Sequence, residues 1–487
     1  MIGKLTMRKH LMRTSPATAL ALGMLASACS VGPNFTRPAA PSVAGYTPPS
    51  EPRASEPVPP EFTQQIAPGT SPAAAWWTAF GSEQLDQLVQ QAVAGNQTLV
   101  AAEATLRQAE ELLAAQTGTR YPRADLNVGA GRQQYGAQFL GPFHLPAFTA
   151  FGIGTTVRYT LDYTGGVARS IEQRQALAEY QRGQRDAAYL ALTGNVVMQS
   201  IVIGATRAQI RALSDLLAED RDNAKLVQTA FDNGSVSRLD VLTAQSQLAS
   251  DETLLPPLRQ QLQIAEHALA VLLGKAPAEF GAPTLELTAL RLPRELPLTI
   301  PSELVHRRPD ILSAEAQLHA ATAEVGIATA NLYPRIDLSA SVSQQALEPE
   351  HLFDAASNAW GLIANLSQPL FDGGSLRAER RAAVAALQAS AASYRQTVLH
   401  SFGQVADVLD ALSHDAELLA AQSNALNSAQ SSVELARESY SAGNSGVLQV
   451  LDAQRLHQQA QLGFVRAQAQ QYLDTAQLFL ALGGSAL

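Results

Sequence analysis

Cysteine is nearly missing from this 487-residue chain, Cys29 being the single example. No disulfide can form within a subunit, and no cysteine-based metal centre can be built. Charge is sparse too: Asp, Glu, Lys and Arg make up 16% of residues, with 34 Lys+Arg against 43 Asp+Glu and a formal net charge of −9. That balance offers no basic footprint for a phosphate backbone, which sets nucleic acid aside as a partner. The nine histidines are scattered, and no HExxH, GxSxG or GK[ST] pattern occurs. His306 and His400 read as packed or surface residues. The chain is therefore expected not to be an enzyme, with no catalytic residue, no metal site and no cofactor. Aromatics are scarce at 6%, while Ala, Gln, Leu and Ser dominate long stretches, a bias expected of long packed helices.

The one cysteine closes a recognisable leader. Lys4, Arg8, Lys9 and Arg13 form a basic start, Ala17 to Ala28 an apolar run too short to span a bilayer, and Leu25-Ala26-Ser27-Ala28 a small-residue approach to Cys29. Residues 1–28 thus read as a signal peptide. The run ending in cysteine resembles the bacterial lipoprotein lipobox, with Ala26 where Leu is commonest. That resemblance implies a covalent N-terminal lipid, diacylglycerol and N-acyl, on Cys29. Ser30 in place of Asp implies sorting to the outer membrane.

The remainder repeats itself. Tyr121-Pro122-Arg123-Ala124-Asp125-Leu126 recurs as Tyr333-Pro334-Arg335-Ile336-Asp337-Leu338, and Ala102, Glu103, Leu106 and Ala109 recur in the same register as Ala314, Glu315, Leu318 and Ala321. Later, Gly234, Leu239, Val241, Leu242, Ala244 and Gln245 recur as Gly443, Leu448, Val450, Leu451, Ala453 and Gln454, at an offset shorter by a few residues. A loop absorbs such a difference at little cost. Residues 29–75 form an extended N-terminal segment, 76–285 the first repeat and 286–487 the second.

Each repeat reads as helix, strand pair, long helix, helix. Ile336, Leu338, Ala340 and Val342 alternate with Arg335, Asp337, Ser339, Ser341 and Ser343, a strand wet on one face. Ala124, Leu126, Val128 and Ala130 alternate likewise. Strands are expected over about 123–139, 148–163, 335–347 and 357–371, with Gly141-Pro142 and Glu348-Pro349 in the hairpin loops. No proline interrupts the helical pattern from Gly374 to Glu438, whose roughly 60 residues make a rod of about 90 Å. Its apolar positions, from Val384 and Leu387 through Tyr394, Val398 and Val405 to Leu412 and Leu419, follow a coiled-coil seam, with a stutter near Val398. Val167 to Val227 is its counterpart, although glycines at 183, 194 and 204 weaken the pattern there.

Four two-faced strands cannot close a membrane barrel, because single-chain barrels need at least about eight. Other copies must pair their edges, and closure alone leaves the number of copies open.

The motifs point to a family. Cys29-Ser30-Val31-Gly32-Pro33-Asn34-Phe35 with Pro38, then Trp76-Trp77-Thr78-Ala79-Phe80 with Leu85, Leu88 and Asn96, resemble the opening of the outer-membrane factor lipoproteins of resistance-nodulation-division efflux systems, the TolC-like, NodT-type group. Arg307-Arg308-Pro309-Asp310-Ile311, Tyr333-Pro334 and Phe371-Asp372-Gly373-Gly374 resemble its second-repeat markers. The resemblance covers essentially the whole chain from Cys29. It implies a mainly α fold with a transmembrane β-barrel: a homotrimeric α/β-barrel duct, each subunit giving four strands and long antiparallel coiled-coil helices. It also implies a lipid-anchored position in the outer membrane, in contact with its lipid and extending into the periplasm. The partners it implies are a periplasmic membrane-fusion adaptor and an inner-membrane transporter of the resistance-nodulation-division type. The function so implied is passive conduction of drugs or other toxic small molecules to the exterior. A type I protein-secretion duct and a metal-ion efflux duct are the alternatives. The N-terminal segment up to about Pro72 is expected to be partly ordered.

The same resemblance assigns a periplasmic gate to Leu448, Asp452 and Arg455, next to the turn Tyr440 to Gly446, and a gate latch to a Tyr440–Asp240 hydrogen bond. Copies of Leu448 would form an apolar collar and copies of Asp452 an acidic ring, with Arg455 as partner three residues on. An ordinary helix start bearing a surface ion pair is the plain alternative. Ser445 and Gln449 stand where some relatives carry an arginine and a second aspartate.

Overall fold

A computed structural model describes residues 31–43, 45–48, 62–135, 146–281 and 283–484. Cys29, the signal segment and the Gly141-Pro142 loop lie outside the described residues. In chain order the elements are β1 (Gln65–Pro68), α1 (Glu83–Gly95), α2 (Gln97–Gly118), β2 (Arg123–Gln133), β3 (Phe148–Thr160), α3 (Gly166–Asp232), α4 (Arg238–Glu252) and α5 (Leu255–Leu272). Then follow β4 (Glu295–Leu298), α6 (Pro301–Leu304), α7 (Pro309–Ala330), β5 (Arg335–Ala346), β6 (Asn358–Ser367), α8 (Ser375–Ser441) and α9 (Val447–Ala481). The two long helices are the same length, 67 residues each or about 100 Å. All four long strands fall where alternation places them, ending a few residues earlier than expected.

Each strand pair ends because an aspartate starts a helix. Asp162 accepts from the backbone N–H groups of Val167 (3.0 Å) and Ala168 (2.9 Å), and Asp372 accepts from Gly374 (2.8 Å) and Leu376 (2.9 Å). The first-turn donors of α3 and α8 are thereby satisfied, which a strand continuing past Thr160 or Ser367 would prevent.

Contacts divide the chain into two compact units, Met1–Arg37 with Gln108–Glu179 and Ala316–Ala392, and Pro38–Arg107 with Tyr180–Glu315 and Ser393–Leu487. Neither is a repeat; each unit takes segments from both.

The first unit holds a four-stranded antiparallel sheet in the order β2-β3-β5-β6. Its register carries one apolar face across all strands: Leu126 lies opposite Thr155, Ala124 opposite Val157, Val157 opposite Ala340, and Ala340 opposite Leu362. The other face is mostly polar or small, with Asn127 opposite Gly154, Gly154 opposite Ser343, and Ser341 opposite Gly361, although Ile363 and Phe148 also lie on it. A one-residue slip would exchange the faces, so the pattern fixes the pairing. Residues 31–37 of the N-terminal segment are held in this unit. Val31 N–H donates to Thr164 O (3.0 Å), and the buried Arg169 guanidinium reaches Val31 O (3.3 Å), Asn34 Oδ1 (2.6 Å) and Glu172 (2.7 Å). Phe35 stacks on His319 at 4.3 Å between centroids.

The second unit is helical, with a small parallel pairing of β1 with β4. Trp76 stacks on Phe479 with centroids 5.3 Å apart and meets Phe80 edge-on, while Trp77 Nε1 donates to Asp86 (2.8 Å). These rings join Leu85, Val196, Val197, Ile201 and Leu269 in the main core. About half of the most apolar stretch of α3 is buried in the chain. The glycines that weaken the α3 pattern have a packing reason: a Cβ at Gly194 would fall 2.5 Å from the Leu480 side chain, and one at Gly183 would fall 2.3 Å from Ser313 Oγ.

Candidate functional site

The turns between each long helix and the helix after it close in the same way. Gly234 (φ 76°) and Gly443 (φ 75°) take the left-handed conformation that ends a helix at little cost only for glycine. Ser235 N–H then reaches Ala230 O (2.8 Å) and Gly234 N–H reaches Phe231 O (2.8 Å); Asn444 and Gly443 repeat these bonds to Ser439 O (2.9 Å) and Tyr440 O (3.0 Å). Both turns are Schellman motifs.

The helix starts that follow differ. At α4, Ser237 and Asp240 form a reciprocal capping box: Asp240 Oδ2 accepts from Ser237 N (2.8 Å) and Oγ (2.7 Å), while Ser237 Oγ accepts from Asp240 N (3.3 Å). The Ser237 hydroxyl and backbone N–H hold the Asp240 carboxyl below the usual range. At α9 the cap is Gly446, which offers no side chain. Ser237→Ala is expected to lower stability by about 0.5–2 kcal/mol, whereas Gly446→Ser should gain only a few tenths. Hydrogen-exchange protection of the first turns of α4 and α9 checks both.

The capping box gives Asp240 a partner at its own helix start. Within this chain the bonds that the Asp240 carboxylate accepts come from Ser237 N and Oγ. Tyr440 is 39% exposed, and its backbone carbonyl rather than its hydroxyl serves the turn.

Leu448, Asp452 and Arg455 lie on the first turns of α9. Arg455 Nη2 meets Asp452 Oδ1 at 2.8 Å, an i,i+3 ion pair on a largely open surface, worth only a few tenths of a kcal/mol to a helix. Leu448 is 45% exposed, and its repeat counterpart Leu239 is 71% exposed. Leu226, Leu242, Leu435 and Leu456 are exposed as well. A single chain leaves this end with apolar side chains facing outward beside a carboxylate and a guanidinium.

Several motif residues turn out to hold the second unit together. Arg308 is buried and binds Asp310 through Nε (3.0 Å) and Nη2 (2.8 Å), Gln404 Oε1 (2.7 Å) and Ala481 O (2.7 Å), tying the start of α7 to α8 and to the end of α9. Burial raises the Asp310 carboxyl, but the Arg308 hydrogen bonds and charge outweigh it and leave the group below the usual range.

Sequence reading missed four buried aspartates. Asp220 contacts Asp251, and Asp415 contacts Asp474. Their heptad spacing was a usable signal, since Asp415 lies three residues after Leu412 and four before Leu419.

The matches to known proteins agree with this architecture. The family model described as outer membrane efflux protein matches residues 88–275 and 300–484. The pyoverdine export outer membrane protein OpmQ of Pseudomonas aeruginosa is 33% identical over 435 residues, 87% of this chain and 91% of that protein. The toluene efflux pump outer membrane protein TtgF of Pseudomonas putida is 29% identical over 96% of each chain. The solved structure of the outer-membrane channel OprN superposes with a TM-score of 0.80 at 28% identity, over 94% of this chain and 99% of that one. Two family matches side by side, long paired helices and a two-faced antiparallel sheet converge on one assignment: the chain belongs to the outer membrane efflux protein family and is an outer-membrane channel component of an efflux system.

Proposed function

We propose that three copies of this chain close one continuous duct that conducts small molecules passively to the exterior, without a catalytic step of its own. The supporting observation is the sheet: β2 and β6 are unpaired at its edges, and one face is mainly apolar. A lipid-facing sheet with open edges leaves backbone groups unsatisfied, so neighbouring copies must supply the missing partners. Three copies of four strands give a ring wide enough for a polar lumen. The periplasmic end would be gated by Leu448, Asp452 and Arg455, opened by a membrane-fusion adaptor and supplied by an inner-membrane transporter of the resistance-nodulation-division type. An acyl group on Cys29 would anchor each copy.

One relative is named for pyoverdine export and another for toluene efflux, so small organic molecules are the proposed cargo class. The trimer is tested by introducing cysteines along β2 and β6 and oxidising intact outer membranes. Covalent trimers, with no larger ladder, are expected for some pairings; dimers alone, or no cross-link for any pairing, rejects the ring. Metabolic labelling with palmitate, lost in Cys29→Ser, tests the anchor. A deletion strain with unaltered susceptibility to all compounds tried, dyes and solvents included, would argue against export.

A further inference from the structure

Coiled-coil seams exclude charge, yet four aspartates occupy them. On α3, Asp220 continues the seam of Leu213 and Leu217 toward Val227; on α4, Asp251 follows Val241, Ala244 and Leu248. On α8, Asp415 follows Val405, Val408 and Leu412; on α9, Asp474 stands between Gln471 and Leu478. Each of the four is more than nine-tenths buried, with 6–8% of its surface exposed.

They meet in two pairs built alike. On the returning helix, a glutamine one turn earlier donates to the aspartate: Gln247 Nε2 to Asp251 Oδ2 (2.7 Å), and Gln470 Nε2 to Asp474 Oδ2 (2.9 Å). On the long helix, Oδ2 of Asp220 and Oδ2 of Asp415 are buried with no hydrogen-bond partner. Two carboxylates in contact repel; two carboxyls sharing one proton attract.

Nearby cations are engaged elsewhere. Around the first pair, Glu219 adds negative charge and is held by Arg437 of α8 (3.4 Å) and Gln454 of α9 (3.2 Å). Arg221 is paired with Glu252 (2.9 Å). Arg455 lines the same small cavity as Asp220 and Asp251, but its guanidinium meets Asp452. Around the second pair, Asp474 is the charged group that acts on Asp415, and the neighbouring His414 turns to Glu417 at 3.5 Å.

We infer that each pair is a proton-holding clamp, in which one shared proton ties a long helix to a returning helix and its loss drives the two apart. Burial, then the hydrogen bond and charge of Asp251, push the Asp220 carboxyl up to about 7; burial, then Asp474, push Asp415 up to about 7. The folded state therefore holds a proton that the unfolded chain releases near 4. The clamp contributes fully below about pH 4, weakens as pH rises, and is lost as pH passes about 7.

Infrared difference spectra of the purified full-length protein in detergent, taken at about pH 6 and about pH 8.5, read protonated carboxyl groups directly. A protonated carboxyl band is expected at the lower pH and not at the higher. It should weaken in Asp220→Asn and in Asp415→Asn, and vanish in the double variant. An asparagine amide donates to the remaining carboxylate in place of the shared proton. Backbone exchange in α3 and α8, corrected for intrinsic rates, should consequently lose its pH dependence in the double variant and stay slow. Absence of the band in the wild type at about pH 6, which requires no variant to fold, overturns the inference. So does a double variant that keeps the wild-type band or the wild-type pH dependence. Neither readout depends on the number of subunits or on conduction.

Discussion

Replacing Leu362 with arginine is expected to abolish recovery of assembled protein from the outer membrane, while Ser341→Arg, one register step away, leaves assembly intact. Leu362 is 75% exposed in the chain and sits on the apolar face, opposite Ala340. Ser341 lies on the other face, opposite Gly361. A cation on the lipid face of a barrel costs about 2–4 kcal/mol near the midplane, and a three-fold ring bears that cost in every copy. A cation on the lumen face stays hydrated and alters permeation instead. Heat-modifiable oligomer bands in outer-membrane fractions compare the two variants at matched expression. Equal recovery would remove the lipid face from the apolar side, and loss of Ser341→Arg alone would turn the sheet inside out.

The face assignment was legible because alternation has a period of two and the repeat shows it twice. Arg335 to Ser343 gave the pattern, Ala124 to Ala130 repeated it, and the observed register aligns both across β3. The helix seam was legible for a related reason: Tyr394, Val398, Val405, Leu412 and Leu419 are all buried. What escaped were residues that break a pattern for a local reason. Asp415 falls in the seam between Leu412 and Leu419, but a carboxylate is ordinarily a surface residue, and its burial goes with its contact with Asp474. Asp240 was read through family resemblance, although Ser237-Arg238-Leu239-Asp240 has the spacing of a capping box, with aspartate where glutamate is usual. A capping box closes within one turn of helix and needs no distant partner. Arg308 and Trp76 were recognised as markers, but their jobs, tying three helices and filling a core, emerge only when α7, α8 and α9 are seen together.

Leu448→Ser combined with Arg455→Ala is expected to raise single-channel conductance in planar bilayers several-fold and to shift selectivity toward cations. The two substitutions act differently. Leu448, 45% exposed in the chain, would form the apolar collar of a closed ring, and serine there lets water in. Arg455 holds Asp452 at 2.8 Å, so its removal leaves one uncompensated carboxylate per copy. The electrostatic part should depend on salt, because the screening length falls from about 8 Å at 0.15 M to about 3 Å at 1 M. Cation preference gained through Arg455→Ala should therefore fade at high salt, while the conductance gained through Leu448→Ser should persist. Asp452→Asn on the Arg455→Ala background should return selectivity toward the wild type. The gate assignment fails if Leu448→Ser conducts like the wild type in both salts, because a leucine on the outer wall would be as exposed and would have no effect on the lumen.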